Sequence, residues 1–455
     1  MALGAREAPT AAVQVASAPY PPLLLGCWIV AVLFITALVS YSDRLVLSAL
    51  VDPLRASLGL SDTSVSLLQG PAFTLVYVFA SLGFGLLTDR VVRKYLLAAG
   101  SLIWCLATLE CGLARDFWSL FAGRLAVGVG EATLIPTAVS LIADSFPPRN
   151  RGTAVGLFAM GSVIGGPMGI GLGGVLLAAA RSGDFAALPL LGTLPPWRFV
   201  LVSLGLTGFI APLLLLSFPE PARREGREES AFGAALGHFL AERRVLLPLY
   251  AGMALLAIGD YGIPAWAPTA LERVFGWSSD NVGLAMLLIP AVAGVLGSVS
   301  GGWFSDLAAR PRGTQARLIV SVSMGVPAVL GAVGFAMGDA EWLLAGLGSW
   351  VLFSTIASIG GIATLQELAP ARFRGSAMSL LTFGNTLIGL GAGPPLIALT
   401  TEHVYGTAHA VSLAMASVGV VAGTLACAAF ALSRRALLRM NASARPTPAR
   451  PAPAA

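Results

Sequence analysis

Asp144-Ser-Phe-Pro-Pro-Arg-Asn-Arg-Gly152 and Glu367-Leu-Ala-Pro-Ala-Arg-Phe-Arg-Gly375 carry one pattern, acid-x-x-Pro-x-Arg-x-Arg-Gly, 223 residues apart. Chance agreement at five fixed positions is improbable, so the chain contains an internal repeat. A second match runs at an offset of 217: Gly85-Leu-Leu-Thr-Asp89-Arg-Val-Val-Arg93 aligns with Gly302-Trp-Phe-Ser-Asp306-Leu-Ala-Ala-Arg310. Asp43 and Asp260 lie at the same offset.

Around these loops the chain is apolar. Of its 455 residues 56% are hydrophobic and 11% charged, and the mean hydropathy is +0.81. That is too few charges to cover a water-soluble globule of this size. A bilayer is crossed by about twenty apolar residues in a helix. Twelve such stretches are predicted: 23–50, 65–88, 95–114, 117–143, 152–179, 197–218, 245–270, 282–304, 317–337, 341–366, 375–400 and 408–433. The runs are continuous rather than alternating, which disfavours a β-barrel. The expected fold is an all-α integral membrane protein, with twelve transmembrane helices in two six-helix pseudo-symmetric halves. Six spans per half put both halves in the same orientation, with a site between them at mid-depth.

The expected organisation is a disordered tail over 1–22, halves over 23–218 and 245–434, a polar linker over 219–244 and a tail over 435–455. Arginine and lysine set the orientation. Loops on the side of the termini carry Arg90, Arg93, Lys94, Arg149, Arg151, Arg223, Arg224, Arg227, Arg243, Arg244, Arg310, Arg312, Arg317, Arg372 and Arg374. The other side carries Arg55, Arg115, Arg181, Arg198 and Arg273. Both termini and the linker are therefore expected in the cytoplasm, the membrane being a bacterial inner membrane. The net charge of +5 is scattered between apolar runs, so nucleic acid is not an expected partner.

Gly85-x-Leu87-x-Asp89-Arg90-x-x-Arg93-Lys94 resembles the cytoplasmic loop signature of the major facilitator superfamily, with Val92 where a glycine is usual. Within that superfamily the chain resembles the Spinster-like branch. The matching residues are Tyr41-x-Asp43-Arg44, Leu60-Ser-Asp62, Arg124-x-x-x-Gly128-Val-Gly130-Glu131-Ala132 and Trp266-Ala-Pro268. The resemblance implies that the first and fourth spans line a central cavity. It also implies that Asp89 bonds across to a later helix to close the cytoplasmic side.

An ionisable group at mid-membrane costs at least roughly 2.5–3.5 kcal/mol on insertion scales. Asp43, Arg44, Arg124, Glu131 and Asp260 are the charges at depth. Arg124 and Glu131 are seven residues apart and share a helical face, with Gly128 between them. Four of these residues are expected to form one cluster. A carboxylate there can load and release a proton, and arginine holds an anionic group bidentately. Asp43, Glu131 and Asp260 are therefore the proton-coupling candidates. Arg44 and Arg124, with Tyr41 and Trp266 from the matching stretches, are the substrate-binding candidates. An inert buried ion-pair network is the structural alternative, and for Asp260 a polar helix end near the outer face. The gate candidates are Asp89, Arg90, Arg93, Asp144, Arg151, Asp306, Glu367 and Arg374. In the fifth span Gly161, Gly165, Gly169 and Gly173 form one small-residue stripe suited to close helix approach.

A P-loop needs Gly-Lys-Ser/Thr, but the sole lysine, Lys94, follows Arg93. Gly169-x-Gly171-x-x-Gly174 formally matches a dinucleotide fingerprint but has no strand before it. The four cysteines have no metal-ligand spacing. No cofactor, metal or enzymatic reaction is expected. The expected function is a secondary transporter, proton-coupled, moving an amphipathic or anionic small molecule by alternating access, as a monomer among membrane lipids. The lipid-like substrate, a lysophospholipid or sphingolipid-like molecule, follows from the resemblance. An organic-acid or drug transporter of the same fold and a non-transporting receptor are the alternatives.

Overall fold

The computed structural model describes residues 20–189, 191–223, 232–370 and 373–443. Twelve helices among them are long and apolar enough to cross a membrane. Spans 1–6 are Leu23–Ala49, Asp62–Thr88, Arg93–Leu113, Phe117–Ser145, Pro148–Ser182 and Pro196–Leu215. Spans 7–12 are Arg243–Arg273, Ser279–Pro311, Thr314–Gly334, Ala340–Leu368, Arg374–Tyr405 and Ala408–Ala442. The expected all-helical fold of two six-helix halves is present. Residues 1–19, most of the expected N-terminal tail, lie outside the described residues. So do 224–231 of the linker, with Arg224 and Arg227, and Arg372 and the tail from 444.

One boundary moves, and the linker gains a helix. The last helix runs to Ser443, past the expected start of the tail at 435. Leu437 explains the extension, because it is buried in a core with Val245, Leu249 and Phe430. The linker holds a helix of its own over Phe232–Ala241.

The repeat is visible in the helix starts. Asp116 caps span 4 and Asp339 caps span 10, again 223 residues apart. Asp116 accepts the Ser119 backbone N–H at 2.8 Å, an N-cap that satisfies one otherwise unpaired donor. That bond and the Ser119 hydroxyl hold its carboxyl below the usual carboxylate range. The offset changes from 217 to 223 between Asp306 and the start of span 9. By helix position, rather than by either offset, the counterpart of Arg93 is Arg317, 224 residues on, since each is the first residue of its α-helix; the loop alignment alone suggests Arg310.

Glycine brings the helices together. Span 5 has two glycine faces. Gly161, Gly165, Gly169 and Gly173 press on Phe34, Leu38, Ser42 and Val46 of span 1, and a Cβ at Gly169 would stand 2.1 Å from the Ser42 carbonyl oxygen. Gly171 and Gly174 meet Gly283 of span 8 in the other half. Gly70 meets the Leu390 carbonyl of span 11, where a Cβ would come within 2.2 Å. Toward the termini the picture reverses. Gly83, Gly85, Gly152, Gly156, Gly302, Gly375 and Gly384 have nothing within 4 Å of a built Cβ. The close glycine approaches between the halves at Gly70, Gly171 and Gly174 lie away from the termini.

Candidate functional site

Span 1 stops being a regular α-helix at Leu45 and continues as a 3-10 turn over Val46–Ala49. Asp43 and Arg44 lie just before that change, facing spans 3 and 4. The Arg44 guanidinium binds Glu131 of span 4, Nε at 3.0 Å and Nη2 at 2.5 Å from the same carboxylate oxygen. Three aromatic rings surround the cation, with centroids at 4.3 Å for Tyr41, 4.4 Å for Phe73 and 4.9 Å for Tyr77. Such faces attract a cation through the ring quadrupole. Asp43 accepts a hydrogen bond from the Thr108 hydroxyl of span 3. Glu131 is 0% and Asp43 6% exposed, yet among the described residues Glu131 Oε1 and Asp43 Oδ1 have no hydrogen-bond partner. A buried polar atom left unpaired is costly, and so calls for a reason.

Arg124 joins the cluster differently from the expectation. Its nearest hydrogen-bond acceptors are main-chain carbonyls, Leu68 at 3.3 Å and Arg44 at 3.1 Å. The reason lies in the backbone. Span 2 breaks at Gly70, before Pro71, which has no N–H to give, and span 1 tightens after Arg44. Both breaks leave carbonyls for a buried guanidinium to satisfy.

Asp260 is mid-helix in span 7, not at a helix end. Trp350 Nε1 of span 10 donates to its Oδ1 at 3.0 Å. The adjacent Tyr261 packs against the Phe73–Tyr77 cluster of the first half. Trp266 lies apart from this group: it is fully buried, and its Nε1 donates to the Pro394 carbonyl at 3.0 Å.

The contacts described for the gate candidates run within a half or to the linker. Arg93 binds Asp144 and, at 2.7 Å, Glu220. Arg317 binds Asp306 at 2.8 Å and Glu367 at 2.7 Å. Arg151 donates to the Phe146 carbonyl and Arg374 to that of Gln366, each at 3.0 Å. Asp89 and Arg90 are exposed, and the Asp89 carbonyl accepts from Arg223. Glu220 also accepts the backbone N–H groups of Arg93 and Lys94, capping the start of span 3.

The ion pairs described between the halves lie on the opposite side. Arg273 of span 7 binds Asp62 at 2.8 Å and Asp52 at 2.5 Å, and Glu402 of span 11 accepts from Thr63. Sequence reasoning missed this latch. Its one signal was Arg273 itself, a cation at a span end on the side poor in cations.

A sequence model of the Major Facilitator Superfamily matches residues 32–394. The chain is 25% identical over 396 residues to an MFS-type efflux pump of Mycolicibacterium smegmatis, covering 86% of this chain and 88% of that relative. It is 25% identical over 434 residues to a probable galactarate/D-glucarate transporter of Escherichia coli, covering 86% and 90%. It is 26% identical over 405 residues to protein spinster homolog 1 of Xenopus laevis, covering 83% and 73%. In fold it matches the crystal structure of a bacterial homologue of the human lysosomal transporter Spinster, in an inward-facing and unoccupied conformation. The TM-score is 0.78 at 24% identity, over 94% of this chain and 100% of the other. The chain belongs to the major facilitator superfamily of membrane transporters and, within it, resembles the Spinster proteins.

Proposed function

We propose that the protein is a proton-coupled secondary transporter of an amphipathic anion, working by alternating access around Asp43, Arg44 and Glu131. The observation that carries this reading is the Arg44–Glu131 pair, buried between spans 1 and 4 with Asp43 beside it and one unpaired oxygen on each acid. A proton on Glu131 withdraws the acceptor that holds Arg44. The guanidinium then has its fork free for a carboxylate or phosphate. Proton and anion bind together, and neither binds well alone. The rings of Tyr41, Phe73 and Tyr77 supply an apolar wall beside the cation, suited to the tail of an amphiphile. Arg124 steadies the two interrupted backbones of the site, and Trp266 supports span 11 from behind.

With Arg273 and Glu402 bridging the halves on one side and open glycines on the other, the conformation supports a site reached from the side of the termini. We assign that side to the cytoplasm, in a bacterial inner membrane, on the arginine bias, and take the monomer as the working unit. The gate set from Asp89 to Arg374 is assigned to the opposite state, in which the terminal ends meet. A sugar-acid substrate is the second reading, favoured by the galactarate/D-glucarate relative. In proteoliposomes, uptake driven by a pH gradient is expected, with saturation by amphipathic anions. Uptake indifferent to the gradient would overturn the coupling, and uptake of sugar acids alone would favour the second reading.

A further inference from the structure

The two halves do not carry the same charges at mid-depth. The offset of 217 takes Asp43 to Asp260 and Arg44 to Tyr261, and the offset of 223 takes Arg124 to Leu347 and Glu131 to Ser354. Asp116 and Asp339, both N-caps, confirm the second register. In the first half two acids face two arginines and the formal charge balances. In the second half three of the four charged positions are neutral and the acid alone remains. Among the described residues no cation pairs with Asp260. Its Oδ1 takes the Trp350 N–H, a neutral donor. The residue is only part-buried, and neighbouring Tyr261 reaches the ring cluster around Arg44. An uncompensated carboxylate at this depth is expensive to keep unless something positive meets it in the working cycle.

We propose that Asp260 receives a cationic group of the substrate, an ammonium or a similar N–H donor, while Arg44 receives its anionic group. Resting on the anion-binding reading above, the proposal narrows the substrate class to molecules with both charges. Each half of the protein then reads one end of the molecule. Asp260 is a specificity-determining residue rather than a proton carrier. A zwitterion also adds no net charge when it bridges the halves, so the balanced first-half cluster need not compensate for it.

The test is equilibrium binding to the full chain in lipid nanodiscs, which does not depend on proton coupling. The probes are matched pairs in which a neutral group replaces an ammonium and the anion is kept: lauroyl lysophosphatidylethanolamine with its N-acetyl derivative, phenylalanine with phenyllactate, and glucosaminate with gluconate. For at least one pair the native protein should favour the ammonium member about tenfold, the size of one charge-assisted hydrogen bond. Asp260→Asn should erase that preference and leave the affinity for the anion-only member within about twofold, Arg44 being untouched. Preference for no ammonium member, or a preference that survives Asp260→Asn, overturns the proposal. So does equal loss of both members, which marks a structural role. If sodium ions or acid alone stabilise the native protein and not the variant, with no ammonium preference, Asp260 holds a coupling ion instead. Failure of the proton-coupled reading leaves this binding result intact, and the two are thereby distinguished.

Discussion

Arg317 makes in the second half the contact that Arg93 makes in the first: each begins the α-helical part of the third span of its half and binds the acid near the end of the fourth, Glu367 or Asp144. The repeat read from sequence is thus a repeated interaction. Its two copies differ in solvent access. Arg93 is 1% exposed and Asp144 8%, whereas the side chains of Asp306 and Glu367 are 68% and 38% exposed.

That difference decides the cost of losing each arginine. Arg93→Gln removes the buried cation that binds both Asp144 and Glu220 and should cost about 3–5 kcal/mol. Arg317→Gln leaves its acids to water and should cost about 0–1 kcal/mol. Thermal unfolding of both variants in nanodiscs checks the order, and equal losses would refute it.

The Arg273 contacts between the halves are expected to set the conformational balance. Arg273→Gln removes charge-assisted bonds between the halves, worth roughly 1.5–3 kcal/mol and enough to move a two-state balance about tenfold. Spin labels at Ser57 and Val404, both exposed, should report a longer distance. Arg55→Gln serves as the control. Arg55 meets Asp62 within its own half, so the distances should stay as in the native protein.

Gly70 makes the same prediction by sterics. Its approach to the Leu390 carbonyl leaves no place for a methyl group. Gly70→Ala should lengthen the Ser57–Val404 distance, while Gly156→Ala, which meets open space in this state, should not.

How far the sequence reaches is visible in these residues. The twelve spans were legible because length and apolarity alone define a bilayer crossing. Gathering Asp43, Arg44, Arg124 and Glu131 was legible because buried charges seek partners. Which arginine takes Glu131 was not. It depends on carbonyls released at Gly70-Pro71 and after Arg44, and a break of this kind in span 1 carries no proline to announce it. Latch pairing was hidden for another reason. Arg273 and Asp62 are 211 residues apart, and no periodicity connects a span end in one half to a span start in the other.

The start of span 4 should depend on pH. Asp116 is held below the usual carboxylate range by the Ser119 backbone N–H and hydroxyl. A depressed folded value means the stabilisation is present above the unfolded value and is lost as pH falls through the folded one. Hydrogen exchange over Phe117–Phe121 should therefore quicken, relative to span 10 interior amides, as the acid is protonated. Asp116→Asn keeps an acceptor and should remove the pH dependence, whereas Asp116→Ala should fray the helix at every pH.

The coupling site gives the most direct test. Asp43→Asn and Glu131→Gln keep the shape of each side chain and remove its charge, so each imitates a protonated acid. In Glu131→Gln the Arg44 guanidinium loses its ionic partner and is free for an anion. In Asp43→Asn the Thr108 hydroxyl still finds an acceptor, so the packing of spans 1 and 3 should hold. Both variants should exchange substrate across proteoliposomes in counterflow at rates within several-fold of the native protein. Neither should concentrate substrate when a pH gradient is imposed, because the acid that binds the proton with the substrate and releases it on the other side is gone. Arg44→Lys provides the complement: a point charge replaces a planar fork, and binding of a carboxylate or phosphate should weaken about tenfold, the share of one lost charge-assisted bond. If Asp43→Asn and Glu131→Gln each still accumulate substrate against its gradient, neither acid carries the proton, and the Arg44–Glu131 pair is a structural brace between spans 1 and 4.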